Sequence, residues 1–125
     1  MTLRKKNNLK KNDALLCIPE KNTEVQENFL DSGDLILTYQ VMYKPFFLSI
    51  KKIVGQNSKK TFTRKIQLDG LGVDVWSLLD GEKNVRTIIK EFAVRHTLNY
   101  KEAEISVTLF LRSLGEKGLI GIKEP

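Results

Sequence analysis

The apolar positions of this chain change period once, close to Leu68. From 35 to 42, Leu35, Leu37, Tyr39 and Val41 alternate with Ile36, Thr38, Gln40 and Met42, a period of two in residues that favour strands. Residues 24–30 precede this run, with Val25 and Phe29 on one face and Glu27 weakening the alternation between them. Asp31-Ser32-Gly33-Asp34 separates the two segments and reads as a turn, because Gly33 tolerates a positive φ and Asp31 can bond the turn backbone. The pair predicts a β-hairpin. Residues 61–68 predict a further strand, with Phe62, Ile66 and Leu68 on one side and Thr61, Thr63, Lys65 and Gln67 on the other.

Beyond Leu68 the spacing becomes helical. Asp69 is an N-cap for a helix whose stripe is Leu71, Val75, Trp76 and Leu79, stopping at Asp80-Gly81. Asn84 caps a second helix, with Val85, Ile88, Ile89 and Phe92 inward, that runs to about His96. Asn99 followed by Glu102 is a capping box opening the longest helix, in which Ala103, Val107, Phe110, Leu111 and Leu114 recur at helical spacing. Gly118 ends it, and Leu119-Ile120-Gly121-Ile122 offers a last β-contact. The order predicts an α+β fold, a three-stranded antiparallel sheet followed by three helices, the last two forming a helix-turn-helix. Trp76 is expected as a core anchor, and His96 as a surface residue favoured by the helix C-terminus.

Two segments stand outside this pattern. Residues 1–13 are Lys/Asn-rich without periodicity and read as a disordered basic arm, leaving 14–125 as a single domain. Within it, Pro45 can open a short helix in which Phe46, Ile50, Ile53 and Val54 share a stripe flanked by Lys51, Lys52, Lys59 and Lys60. Such a basic amphipathic insertion, 44–60, either covers an open face of the sheet or lies on an anionic membrane surface.

At 125 residues, 41% hydrophobic and 29% charged, the chain has the composition of one globular domain rather than of a disordered polymer. A formal charge of +6 points first to nucleic acid, and position changes that. Residues 1–11 carry five bases and no acid, 44–65 carries seven and none, 12–43 is net −5, and 66–125 is net −1. Residues 100–117 hold Lys101, Arg112 and Lys117 against Glu102, Glu104 and Glu116, so the would-be recognition helix is neutral and opens with acids that repel phosphate. A winged-helix DNA regulator is therefore the lesser reading. The single cysteine, Cys17, excludes an internal disulfide and a Cys-rich zinc site. No nucleophile, phosphate-loop or metalloprotease motif occurs, and no secretory signal or membrane span, so no catalytic residue, metal or cofactor is expected and a cytoplasmic place is.

Leu68-Asp69-Gly70-Leu71-Gly72, Trp76, Leu79-Asp80-Gly81, Val85, Ile88-Ile89, Leu114 and Lys117-Gly118-Leu119-Ile120 together resemble the pyrroloquinoline-quinone biosynthesis protein D (PqqD) family. The likeness covers about 62–122 well and reaches weakly back to Ile18-Pro19. It implies a small winged-helix-like fold that is not an enzyme but a peptide recognition element. Such an element holds the leader of a ribosomally made precursor and presents it to a modifying enzyme, often a radical S-adenosylmethionine protein. The leader adds as a strand to the sheet edge and packs on the third helix. Carried onto this chain, the peptide-binding residues are Arg64, Lys65, Ile66 and Gln67 on the edge strand, with Arg64, Lys65 and Gln67 facing outward. Ile105, Thr108, Leu109 and Arg112 join them from the third helix. A basic edge favours an acidic leader. The arm and the insertion depart from the family's smallest members and are expected to touch a membrane-bound partner or to occupy the empty groove. An open strand edge also permits a homodimer.

Overall fold

A computed structural model describes residues 13–42 and 61–125. The elements, in chain order, are β1 (Ile18–Lys21), β2 (Gln26–Phe29), β3 (Leu35–Met42), β4 (Thr61–Leu68), α1 (Gly70–Leu78), α2 (Val85–His96), α3 (Tyr100–Glu116) and β5 (Ile120–Lys123). The expected three strands and three helices are β2, β3, β4 and α1, α2, α3, in that order; β1 precedes them and β5 follows. The basic arm, apart from Asp13, and the insertion 44–60 with its amphipathic helix lie outside the described residues. The described residues fall into two compact units, one within 24–68 and one made of 13–23 with 69–125.

In the first unit β2, β3 and β4 form an antiparallel sheet in that order. The hairpin closes as expected: Gly33 takes φ +92°, the Gly33 N–H donates to the Leu30 carbonyl at 2.9 Å, and Leu30 donates to Asp34 at 2.8 Å. Between β3 and β4 the register sets Leu35 opposite Leu68, Leu37 opposite Ile66, Tyr39 opposite Arg64 and Val41 opposite Phe62. Directly opposed residues share a face. That face is therefore apolar around Leu35, Leu37, Tyr39 and Leu68, all buried. On the other face Gln40 donates to the Thr63 hydroxyl and Gln67 to the Asp34 carboxylate, both at 2.8 Å.

The second unit is helical and closed by a two-stranded ribbon. β1 pairs antiparallel with β5, with Pro19 opposite Ile122 and Lys21 opposite Ile120. Each strand of a ribbon pairs on one side only, so Pro19 fits in β1 without breaking a ladder on both sides. The last β-contact expected at 119–122 is thus real, and its partner is Ile18-Pro19-Glu20-Lys21. Further bonds lock the ribbon to the helices: Asn22 donates to the Leu119 carbonyl, Val85 donates to the Cys17 carbonyl, and the Lys123 ammonium reaches the Gly81 carbonyl at 2.8 Å.

All three N-caps read from the sequence form. Asp69 accepts from the Gly72 N–H, Asn84 from Thr87, and Asn99 from Glu102, whose carboxylate in turn accepts the Asn99 N–H. Val75, Trp76, Ile88, Ile89, Phe92, Ala103, Val107, Leu111 and Leu114 are buried as expected. Two expectations fail: Phe110 is only half-buried, and Leu71 is 56% exposed while Leu78 is buried in its place. Leu71 and Leu78 lie two turns apart on the same side of α1, and spacing does not tell which turns of a nine-residue helix are covered. Trp76 is a core residue at 2% exposure, and the Lys21 ammonium lies 4.8 Å from its ring centre, a cation–π contact from β1. His96 is less superficial than expected. Its ring stacks at 4.5 Å on Phe92, and its Nε2 lies 2.8 Å from an Asp74 oxygen, outside hydrogen-bond alignment.

Between α1 and α2 the Asp80 carboxylate accepts the N–H groups of Glu82 and Lys83, both at 2.9 Å. Those bonds, the Lys83 one foremost, and the Lys83 ammonium hold its carboxyl below the ordinary value of 3.8. Lys83 also meets Glu91 at 3.4 Å. Between α2 and α3, Thr97 adopts φ +53° and ψ +47°, the left-handed conformation, so that Leu98 can donate to the Ala93 carbonyl at 2.9 Å. A β-branched residue is strained there.

Thr97→Asn should stabilise the protein by about 1 kcal/mol, and Asn99→Ala should destabilise it by about 1 kcal/mol, both read from chemical denaturation at neutral pH. The folded-state carboxyl of Asp80 lies below its unfolded value, so its contribution is present above pH 3.8 and is lost as pH falls through the folded value. Asp80→Asn should therefore lose less stability than the native chain between about pH 5 and about pH 2, in denaturation curves recorded across that range.

Candidate functional site

The sheet contributes an edge. β3 occupies the middle of its sheet, so β4 has one side without a strand among the described residues, and so has β2. The two edges differ. β2 is four residues long and carries Glu27, and short charged edges discourage pairing. β4 is eight residues long and uninterrupted by glycine or proline. Its backbone offers N–H and C=O groups along about 26 Å, at the usual rise per residue.

Of the four edge residues singled out from sequence, Lys65 and Gln67 lie on the face of Thr38 and Ile36, and both are exposed. Ile66 lies on the opposite face against Leu37 and is half-buried. Arg64 corrects the expectation. Its register partner is Tyr39, so it shares the face of Ile66 and Leu68 rather than that of Lys65 and Gln67, although its side chain is exposed. The reason is the strict alternation of a strand. β4 thus presents one cation on each face.

The helical unit contributes α3. Its start is fixed by the capping box, and Ala103, Val107, Leu111 and Leu114 bury one face. The opposite face carries Ile105 and Leu109, 50% and 58% exposed and one turn apart, with Arg112 and Glu116 continuing the line. Lys101, at the start of the helix, pairs with Glu104 at 3.4 Å. Thr108 lies at the border of that face, its hydroxyl donating to the Glu104 carbonyl at 2.7 Å. Two exposed aliphatic side chains one turn apart suit contact with a protein or peptide rather than with phosphates.

Beside this face the helical unit holds an apolar cavity of about 350 Å³ that the sequence did not reveal. Thr108 and Arg112 line it from α3, together with Leu15, Cys17, Val85 and Ile120. Its walls come from four separate stretches of chain, and no local spacing announces such a place. Among the described residues no three His, Cys, Asp or Glu side chains gather as a metal site, and no helix is long and apolar enough to cross a membrane.

The family model for coenzyme PQQ synthesis protein D (PqqD) matches residues 59–120, which take in β4, the three helices and the first residue of β5. A solved structure of TbiB1 in complex with the TbiA(beta) leader peptide shares the fold, with a TM-score of 0.52 and 20% identity over 81% of this chain and 93% of that one. No curated protein matches the chain. Through residues 59–120, from the edge strand to the end of the helices, this chain is similar to the PqqD family.

Proposed function

We propose that the protein is a non-catalytic adaptor that binds the leader of a ribosomally made precursor peptide and presents it to a modifying enzyme, a radical S-adenosylmethionine protein being the kind that accompanies many family members. The open edge of β4, inside the family-matched region, carries this reading. An added strand there gains main-chain hydrogen bonds whatever its sequence, while neighbouring side chains select among peptides. TbiB1, whose fold this chain shares, has a leader peptide bound in its own structure.

Within this proposal Arg64, Lys65, Ile66 and Gln67 contact the peptide on the strand, and Ile105, Thr108, Leu109 and Arg112 contact it from α3. Arg64, Lys65 and Arg112 favour an acidic leader, and Ile105 and Leu109 take apolar residues. The exposed aliphatic pair on α3 also weighs against a winged-helix DNA reader, which needs polar and cationic groups on that helix.

The test uses the backbone directly. Successive N–H groups of a strand point to opposite sides, so one of Lys65 and Ile66 donates toward β3 and the other toward the open edge. Of Lys65→Pro and Ile66→Pro, the variant at the outward N–H should keep its circular dichroism spectrum and lose about tenfold or more in affinity. The probes are synthetic peptides from the small open reading frames encoded beside the chain, measured by calorimetry. A folded outward variant that binds as well as the native chain excludes strand addition at β4. Binding of duplex DNA that weakens steeply with salt, with no binding of any peptide, favours the regulator instead.

A further inference from the structure

The cavity beside α3 contains a residue whose identity the fold does not explain. Gly115 lies in the last turn of α3 and lines the cavity wall. Glycine is the poorest helix former after proline, so a helical glycine ordinarily has a backbone or a packing reason. Neither exists here. Its φ is not positive, unlike those of Gly33, Gly81 and Gly118. A Cβ built on Gly115 would meet no atom within 4 Å, so no neighbouring element approaches too closely for a side chain. What the missing side chain leaves is open space on the wall of the cavity.

The remaining lining is apolar with one exception. Leu15, Val85, Leu111, Ile120 and Ile122 present hydrocarbon, and the Thr108 hydroxyl is turned to its own helix, on the Glu104 carbonyl. The exception is Arg112, exposed at the cavity and without an acidic partner among the described residues; Glu116, one turn further on, makes no ion pair with it. Apolar walls with one placed charge are the make-up of a small recognition pocket, and about 350 Å³ is at the low end of such sites.

We infer that this cavity is a side-chain pocket for the bound peptide. It receives one large apolar residue over Gly115, while a carboxylate on a neighbouring peptide residue pairs with Arg112. This rests on the peptide-binding reading above and adds to it the chemistry selected. Charge argues against the chain's own basic arm as the occupant. Residues 1–12 carry five bases and no acid, and would bring like charge to Arg112.

The test selects a displayed library of random twelve-residue peptides against the full chain. Cys17, the single cysteine and itself part of the lining, serves as reporter through its reaction rate with Ellman's reagent. The native chain should enrich peptides that combine a large apolar residue with an acidic one within three positions, and those peptides should slow Cys17 several-fold. Gly115→Leu, which fills the cavity, should weaken them tenfold or more, and Arg112→Glu should remove the preference for the acidic residue. Circular dichroism confirms folding; should Gly115→Leu misfold, Gly115→Ala and Arg112→Glu carry the same comparison. If the selected peptides bind both variants within twofold and leave Cys17 unprotected, yet are lost on breaking the outward N–H of β4, the pocket is wrong and strand addition stands. If no peptide is enriched, the peptide reading itself fails. If Cys17 slows with protein concentration alone, the occupant is a second copy and the inference is overturned.

Discussion

Every backbone N–H and C=O removed from bulk water needs a partner, and the way this chain meets that demand determines where it can be read by another molecule. Each helix start is satisfied by a side chain one residue upstream: Asp69, Asn84 and Asn99. The tight link after α1 is satisfied by Asp80 and the link after α2 by the left-handed turn at Thr97. The two ends of the helical unit meet in a ribbon of their own. Against so consistent a satisfaction of backbone groups, β4 is the longest strand left with pairing on one side only among the described residues. Edges of that length are an aggregation hazard unless something covers them or a partner uses them, and the peptide proposed above would be such a partner.

The charge of the chain acquires meaning only by position. A total of +6 describes a nucleic-acid binder about as well as a peptide binder. The structure divides it further than segment sums can. Arg64 and Lys65 fall on opposite faces of one strand, and Lys101 is matched by Glu104. Arg112 is left unmatched among the described residues, beside apolar surface. A phosphate backbone would need several such cations in a row, whereas a short acidic peptide needs one or two at fixed places.

Much of this was legible in the sequence, and what was not has definite physical causes. Caps and turns are local chemistry, so Asn99 with Glu102 and the Gly33 turn could be read without any tertiary knowledge. Long apolar periodicity was equally readable, since α2 and α3 offer three or more turns over which a stripe can be counted. Short elements gave less. With nine residues in α1, Leu71 and Leu78 lie two turns apart on the same side, and packing rather than spacing decides that only Leu78 is covered. β1 was missed because Ile18-Pro19-Glu20-Lys21 carries a proline and two charges in four residues, and only its pairing with β5 makes a strand of it. Arg64 was set outward because it is charged, although the alternation that placed Ile66 and Leu68 inward assigns it to their face. Charge was weighed above register, and register prevails in a paired strand.

Natural sequences agree with their folds at most positions and depart from local rules where strain or function requires it. Four departures stand out among the described residues: a threonine in the left-handed region at 97, a buried Trp76 Nε1 without a hydrogen-bond partner, an arginine on the apolar face of β4, and a glycine inside α3. The first two are accounted for within the helical unit, one by the turn between α2 and α3 and the other by the size of a ring that fills the core. The last two have no such account. Arg64 makes no hydrogen bond or ion pair on the face it shares among the described residues, and Gly115 weakens the last turn of its helix for space that no described residue fills. Both lie within the family-matched residues 59–120, and the peptide proposed above would give a reason to Arg64 on its strand and, through the cavity, to Gly115 on its helix.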